Sequence, residues 1–88
     1  MTDARHISIA KRLKRAEGHL RALVAMVENG RDCLEIAQQL HAVEAAITNA
    51  KRELIHDHIS HCMDDALTKG TMSSNDAIGQ MRSLAKYL

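Results

Sequence analysis

From Asp32 to Lys69 an apolar or soft side chain returns at helical spacing: Ile36, Leu40, Val43, Ile47, Ala50 and Leu54, then His58 and Cys62. The chain contains no proline, so nothing breaks this run before Gly70. The pattern predicts one helix with Asp32 as its N-cap and Gly70 as its stop. At 1.5 Å per residue it spans roughly 55 Å. That is longer than a domain of 88 residues is wide. A helix of this length needs partners along all of it, and the rest of the chain must supply them or a second copy must.

Two shorter helices flank it. The first is predicted from Thr2 or Asp3 to Asn29, with Ile9, Leu13, Ala16, Leu20, Leu23, Val24 and Val27 as its stripe. Asn29-Gly30 ends it, glycine being suited to the left-handed position after a helix. The last helix is signalled by Ser73-Ser74-Asn75-Asp76, followed by Ile78, Met81, Leu84, Ala85 and Leu88. Ala, Leu, Ile and Met carry the apolar content, and Tyr87 is the only residue among Phe, Trp and Tyr. That composition favours helix on helix and argues against a sheet. The expectation is an all-α, three-helix subunit with a long central helix, a single domain over residues 1–88. A small core without large aromatic rings is marginal for a monomer, so a homo-oligomer is expected. No run is apolar enough to span a membrane and no secretory signal is visible, so no membrane partner is expected. Two cysteines in such a chain fit a reduced, cytoplasmic setting, where thiols serve metals or redox chemistry.

Cys33, His58 and Cys62 carry the chemistry. Alone, Cys62 reads as a small buried residue and His58 as a satisfied core histidine. Together they fall in His56-Asp57-His58-Ile59-Ser60-His61-Cys62, where His58, His61 and Cys62 share a sector of the helix and His56 points away. Cys33 stands 25 residues before His58, roughly 37 Å along an unbroken helix. One subunit therefore cannot close a three-ligand site. Two copies packed as an antiparallel dimer can, with Cys33 of one beside His58 and Cys62 of the other. The two-fold axis falls near Ala46, amid Ala42, Ala45, Asn49 and Ala50, side chains small enough for a close crossing. Two thiolates and an imidazole suit Cu(I). A fourth nitrogen, from His61 or His6, shifts the preference toward Ni(II), Co(II) or Zn(II). His6 taken alone reads as an exposed terminal residue. His19 and His41 read as surface or groove residues, and Met26, Met63, Met72 and Met81 as core fillers.

Net charge is only +1, but Arg5, Lys11, Arg12, Lys14, Arg15 and Arg21 crowd the first helix. A charge run alone is a solvated face. A basic stripe on a nearly neutral chain points to an anionic partner, nucleic acid first. Nothing suggests an enzyme: there is no glycine-rich phosphate loop, nucleophile elbow or zincin motif. No helix-turn-helix is evident either, so DNA would be bound by an assembled helical surface.

The stretches Arg12-Leu13-Lys14-Arg15-Ala16-Glu17-Gly18-His19-Leu20, Gln38-Gln39-Leu40-His41-Ala42-Val43 and Asp57-His58-Ile59-Ser60-His61-Cys62, with Cys33, resemble the CsoR/RcnR/FrmR family of small helical bacterial repressors. The spacing of Cys33, His58 and Cys62 is like that of the copper-sensing members. The resemblance implies a dimer paired into a homotetramer, a dimer of dimers. It implies binding of operator DNA by the metal-free form and release on metal binding. Cys33, His58 and Cys62 would be the copper ligands. Arg12 and Arg52 would contact DNA, with Lys14 and Arg15 as helpers. Glu17 departs from a commonly basic position, and Asp32 from a tyrosine of some copper sensors. Ile78 lies near where those sensors place a glutamate that couples the site to the helices. His61 and the stretch Lys11 to Leu20 also look like the nickel-resistance regulators of the family, whose N-terminal ligand histidine falls earlier than His6. The formaldehyde-sensing members lack the second cysteine.

Two other classes fit the same residues. A thiol or persulfide sensor would bridge Cys33 and Cys62 between subunits, with His58 activating a thiol. A metal buffer or chaperone would bind metal without DNA, and leaves the basic first helix unexplained.

Overall fold

The computed structural model of the chain describes residues 4–65, 68, 70 and 73–88, the side chain of Arg5 excepted. Three helices follow one another: α1 (Ala4–Glu28), α2 (Cys33–Asp64) and α3 (Ser74–Ala85). No strand occurs among the described residues, as the composition demands. Among them no helix is long and apolar enough to cross a membrane.

Each boundary has a local cause. At the end of α1 the Arg31 amide donates to the Met26 carbonyl at 3.0 Å and the Gly30 amide to that of Val27 at 3.1 Å. Gly30 has φ 68°, which lets both bonds form and caps the carbonyls the helix leaves open. Asp32 then starts α2, its Oδ2 accepting from the Glu35 amide at 3.3 Å. Arg31 Nη2 closes this corner on Glu35 Oε1 at 2.7 Å. Ser73 does the same for α3, its Oγ accepting from the Asp76 amide at 3.1 Å.

The α-helical part of α2 ends at Asp64, short of the expected end at Lys69, which lies outside the described residues. Asp65 and Thr68 take a wider, π-type helical form. The Thr68 hydroxyl donates back to the Asp64 carbonyl at 2.5 Å. That bond competes with the backbone ladder one turn earlier and loosens it.

Contacts divide the chain into two compact units, Met1–Ala50 and Lys51–Leu88. In the first, α1 and the start of α2 bury Ile9, Ala16, Leu23, Val43 and Ala50. These stand seven apart within each helix, two helical turns, so they form narrow lines. The predicted stripes are wider than that. Leu13, Leu20, Val24 and Val27 on α1 and Leu40 and Ile47 on α2 stay exposed. In the second unit Ile55, Asp57, Cys62 and Ala77 are buried. The expected face of α3 is rotated: Ala77 is 3% exposed while Ile78 is 51% exposed. Ala77, Met81 and Leu84 share one line at helical spacing, and Ile78 stands about 100° round the helix from Ala77. Met63 is exposed as well, not a core filler, whereas Met26 and Met81 are half-buried. Met72 lies outside the described residues.

Replacing Gly30 by Ala forces a β-carbon into a left-handed backbone, which costs about 1–2 kcal/mol. Urea unfolding should show a lower midpoint with an unchanged slope. Asp32→Ala, which removes a cap, should cost about 1 kcal/mol in the same measurement.

Candidate metal centre and basic groove

In the unit Lys51–Leu88, His58 and Cys62 stand one turn apart on α2 and therefore project from one face. Both reach the same atom of α3. His58 Nε2 lies 2.8 Å from Gln80 Oε1, and Cys62 Sγ donates to that oxygen at 3.1 Å. Two donor atoms of metal-ligating types thus converge on one point, as a shared ion requires, so the pair fits a soft or borderline metal. Cys62 is buried and His58 exposed, so the point lies at the edge of the core. Beside it a cleft of about 670 Å³ runs along Asn75, Asp76, Gly79 and Ser83.

The other expected ligands stand elsewhere. His61 turns to the buried Asp57, its Nε2 3.7 Å from Oδ1. His6 is half-buried in α1. Cys33 is the exposed first residue of α2, in the unit Met1–Ala50, and both cysteines are free. Among the described residues no three His, Cys, Asp or Glu side chains come together as a metal site.

In the unit Met1–Ala50, α1 and α2 are tied by His19 Nε2 and Gln39 Oε1 at 2.6 Å. His19 is half-buried and holds the wall of a groove of about 310 Å³, lined also by Arg12, Arg15, Ala46 and Asn49. Two of the four residues expected at DNA, Arg12 and Arg15, are therefore brought together. Lys14 is exposed outside this lining, and Arg52 is exposed in the other unit. Glu17 pairs with Arg21 one turn on at 3.6 Å, with both side chains well exposed. So weak a pair trims the charge of the helix without fixing it.

Sequence reasoning missed Gln80 and the burial of Asp57. Gln80 has no local signature, because its partners lie 22 and 18 residues away. Asp57 had one: it stands seven after Ala50, on the line that Val43 and Ala50 bury.

The His19–Gln39 bond should contribute about 1 kcal/mol to the stability of the α1–α2 pair. A double-mutant cycle of His19→Ala and Gln39→Ala, read by thermal unfolding, should return a coupling of that size.

A family model described as "Metal-sensitive transcriptional repressor" matches residues 5–88. The chain is 41% identical over 78 residues to the copper-sensing transcriptional repressor CsoR of Bacillus subtilis (strain 168), covering 89% of this chain and 75% of that one. It is 36% identical to the copper-sensing transcriptional repressor RicR of Mycobacterium tuberculosis (strain ATCC 25618 / H37Rv), over 69% of this chain and 64% of the relative. Identity to the copper-sensing repressor CsoR of Mycobacterium ulcerans (strain Agy99) is 33%, over 80% and 59%. The match thus spans less than two thirds of these two mycobacterial relatives. A solved structure titled "The nickel-responsive transcriptional regulator InrS" superposes with a TM-score of 0.81 at 28% identity, covering 92% of this chain and 90% of that one.

Proposed function

The chain belongs to the family of metal-sensitive transcriptional repressors, and we propose that it binds operator DNA without metal and releases it when Cu(I) binds a site shared between two subunits. The family is one of regulators, not enzymes. The observation that carries the shared site is a line of exposed residues along α2. Cys33, Leu40, Ile47, Leu54 and His61 stand seven apart, and all five are exposed in the single chain. An apolar line at this spacing is the seam of a helix pair and calls for a second helix. Ala42, Ala45 and Ala46 beside it are exposed too, and small enough to let that helix come close.

Symmetry then sets the register. Cys33 and His61 each stand fourteen residues from Ile47. In an antiparallel pair turned about Ile47, Cys33 of one copy comes level with His61 of the other, between His58 and Cys62. Cu(I), when bound, supplies a soft centre content with two thiolates and an imidazole. His58 and Cys62 offer their ligand atoms from one face, and Cys33 of the second copy completes the set. Arg12, Lys14, Arg15 and Arg52 would hold DNA phosphates, with His19 fixing the wall on which Arg12 and Arg15 sit. Joining Cys33 of one copy to His58 and Cys62 of its partner changes how the two copies hold their basic side chains. A coupling of about 1–3 kcal/mol between the sites is typical of allostery. The expected assembly is a dimer, paired further into a tetramer.

A second reading is a Ni(II)- or Co(II)-responsive repressor. It is favoured by the resemblance of the fold to a nickel-responsive regulator, and by the place of His61 at the end of the exposed line. His61, or His6, would add the fourth nitrogen that these ions and Zn(II) prefer.

The shared site has a sharp test. Cys33→Ser and Cys62→Ser proteins should each lose tight Cu(I) binding, measured anaerobically against a competing chelator. Mixed one to one, they should regain about a quarter of the wild-type capacity, because each heterodimer keeps one intact site. No recovery on mixing places all three ligands in one subunit and sinks the proposal. Tight Ni(II) binding that depends on His61, with weak Cu(I), selects the second reading. Operator affinity of the metal-free protein should fall steeply with salt. Arg12→Ala should make that slope shallower by about 1 for each phosphate that Arg12 neutralises.

A further inference from the structure

We propose that the groove between α1 and α2 seats the phosphodiester backbone of one DNA strand, and that Asn49 of α2 fixes it there by donating its side-chain amide to a phosphate oxygen that Arg12 and Arg15 of α1 neutralise. The inference rests on the reading of the chain as a DNA-binding repressor, and gives a part to an uncharged residue of α2 outside the basic set.

The groove lies wholly within the unit Met1–Ala50. Its lining is Arg12, Arg15, Ala16 and His19 from α1 with Ala46 and Asn49 from α2, and no carboxylate belongs to it. Arg12 and Arg15, three residues apart, lie on one face of α1, so their cationic heads can reach the same anion. Ala16 and Ala46 end at the β-carbon, which lets a strand settle close between the helices. His19 Nε2 is taken up at Gln39 Oε1, 2.6 Å away. Asn49 is exposed, and its carboxamide carries an NH2 group with two donor hydrogens. It is the neutral donor that α2 adds to the two cations of α1.

Shape decides which part of the DNA enters. In a duplex the phosphates stand out at the surface, while the base edges lie recessed in the grooves. A base edge is read by a side chain on an element that projects into the DNA, such as a recognition helix. A residue in a concavity meets what projects toward it, which is the backbone. Asparagine side chains are among the groups that bind phosphate oxygens and set position without reading sequence. The volume of about 310 Å³ is ample for a phosphate group. The place of Asn49 on α2 also keeps it uncovered in the proposed dimer. It is two residues on from Ile47, about 200° round the helix, and so stands on the far side of α2 from the Ile47 seam.

The test uses two labelled duplexes of equal length, one selected by the wild-type protein from a random library and one of unrelated sequence. Binding of the metal-free protein is read by fluorescence anisotropy over a range of salt. Asn49→Ala should weaken both complexes by the same factor, roughly tenfold for each groove engaged, the loss of a hydrogen bond to a charged oxygen. The slope of log K against log salt should keep its wild-type value, because asparagine displaces no counterion. Arg15→Ala should instead make it shallower by about 1 for each phosphate that Arg15 neutralises. Asn49→Asp keeps the size and reverses the electrostatics. It should bind more weakly than Asn49→Ala at low salt, with the gap closing as salt screens the repulsion. A structural role for Asn49 gives no such salt-dependent gap, and alanine at an exposed helix position favours the helix, so misfolding does not imitate the result. Unchanged affinity of Asn49→Ala overturns the seat. So does a loss confined to the selected duplex, which makes Asn49 a base reader, and so does Asn49→Asp binding as well as Asn49→Ala. Wild-type affinity that salt leaves unchanged for both duplexes overturns the DNA reading itself and the seat with it, an outcome distinct from the other three.

Discussion

The single long helix α2 imposes the constraint to which every other feature answers. An α-helix satisfies its own backbone but not its side chains, and α2 carries apolar residues on more than one face over 32 residues. Within the chain, α1 and α3 cover some of these faces and leave Leu40, Ile47 and Leu54 in solvent. Cys33 and His61 are exposed on the same helix, so in the proposed dimer the seam and the ligands would both come from α2. In such a dimer a ligand held between copies would act directly on what joins them.

The two units handle their polar side chains by the same device. In each, a histidine of one helix meets a glutamine of the next: His19 with Gln39, and His58 with Gln80. In both pairs the glutamine Oε1 lies within hydrogen-bond reach of the imidazole Nε2, at 2.6 Å and 2.8 Å. The difference between the two is the cysteine. Cys62 joins His58 at the same oxygen, so the two side chains of α2 converge on one atom of α3. His19 has no such neighbour among its hydrogen-bond partners, and its bond serves to shape the groove that carries Arg12 and Arg15.

Much of this was legible from residue order. The caps at Asp32 and Ser73 and the left-handed Gly30 were found where the sequence placed them, because they are local events between residues three to five apart. Helical spacing likewise put His58 and Cys62 on one face. It erred where local rules compete. The Thr68 hydroxyl bonds back to the Asp64 carbonyl, and the helix widens to a π form at Asp65 and Thr68, past the last residue of its stripe. In α3 the small Ala77 took the buried line, which hydrophobicity alone would have given to Ile78.

The sequence by itself determined that the chain is helical, where α2 and α3 start, and that His58 and Cys62 share a face with Cys33 too far along the helix to join them; the expected start of α1 at Thr2 or Asp3 lies outside the described residues. Periodicity and covalent spacing settle those matters without reference to any other element. Only the tertiary structure decided which half of each apolar stripe is covered, that Asp57 is buried, and that Gln80 meets both members of the pair. Those outcomes depend on how α1 and α3 lie against α2, and residues 18 to 22 positions apart carry no mark in the sequence of the bond they will form.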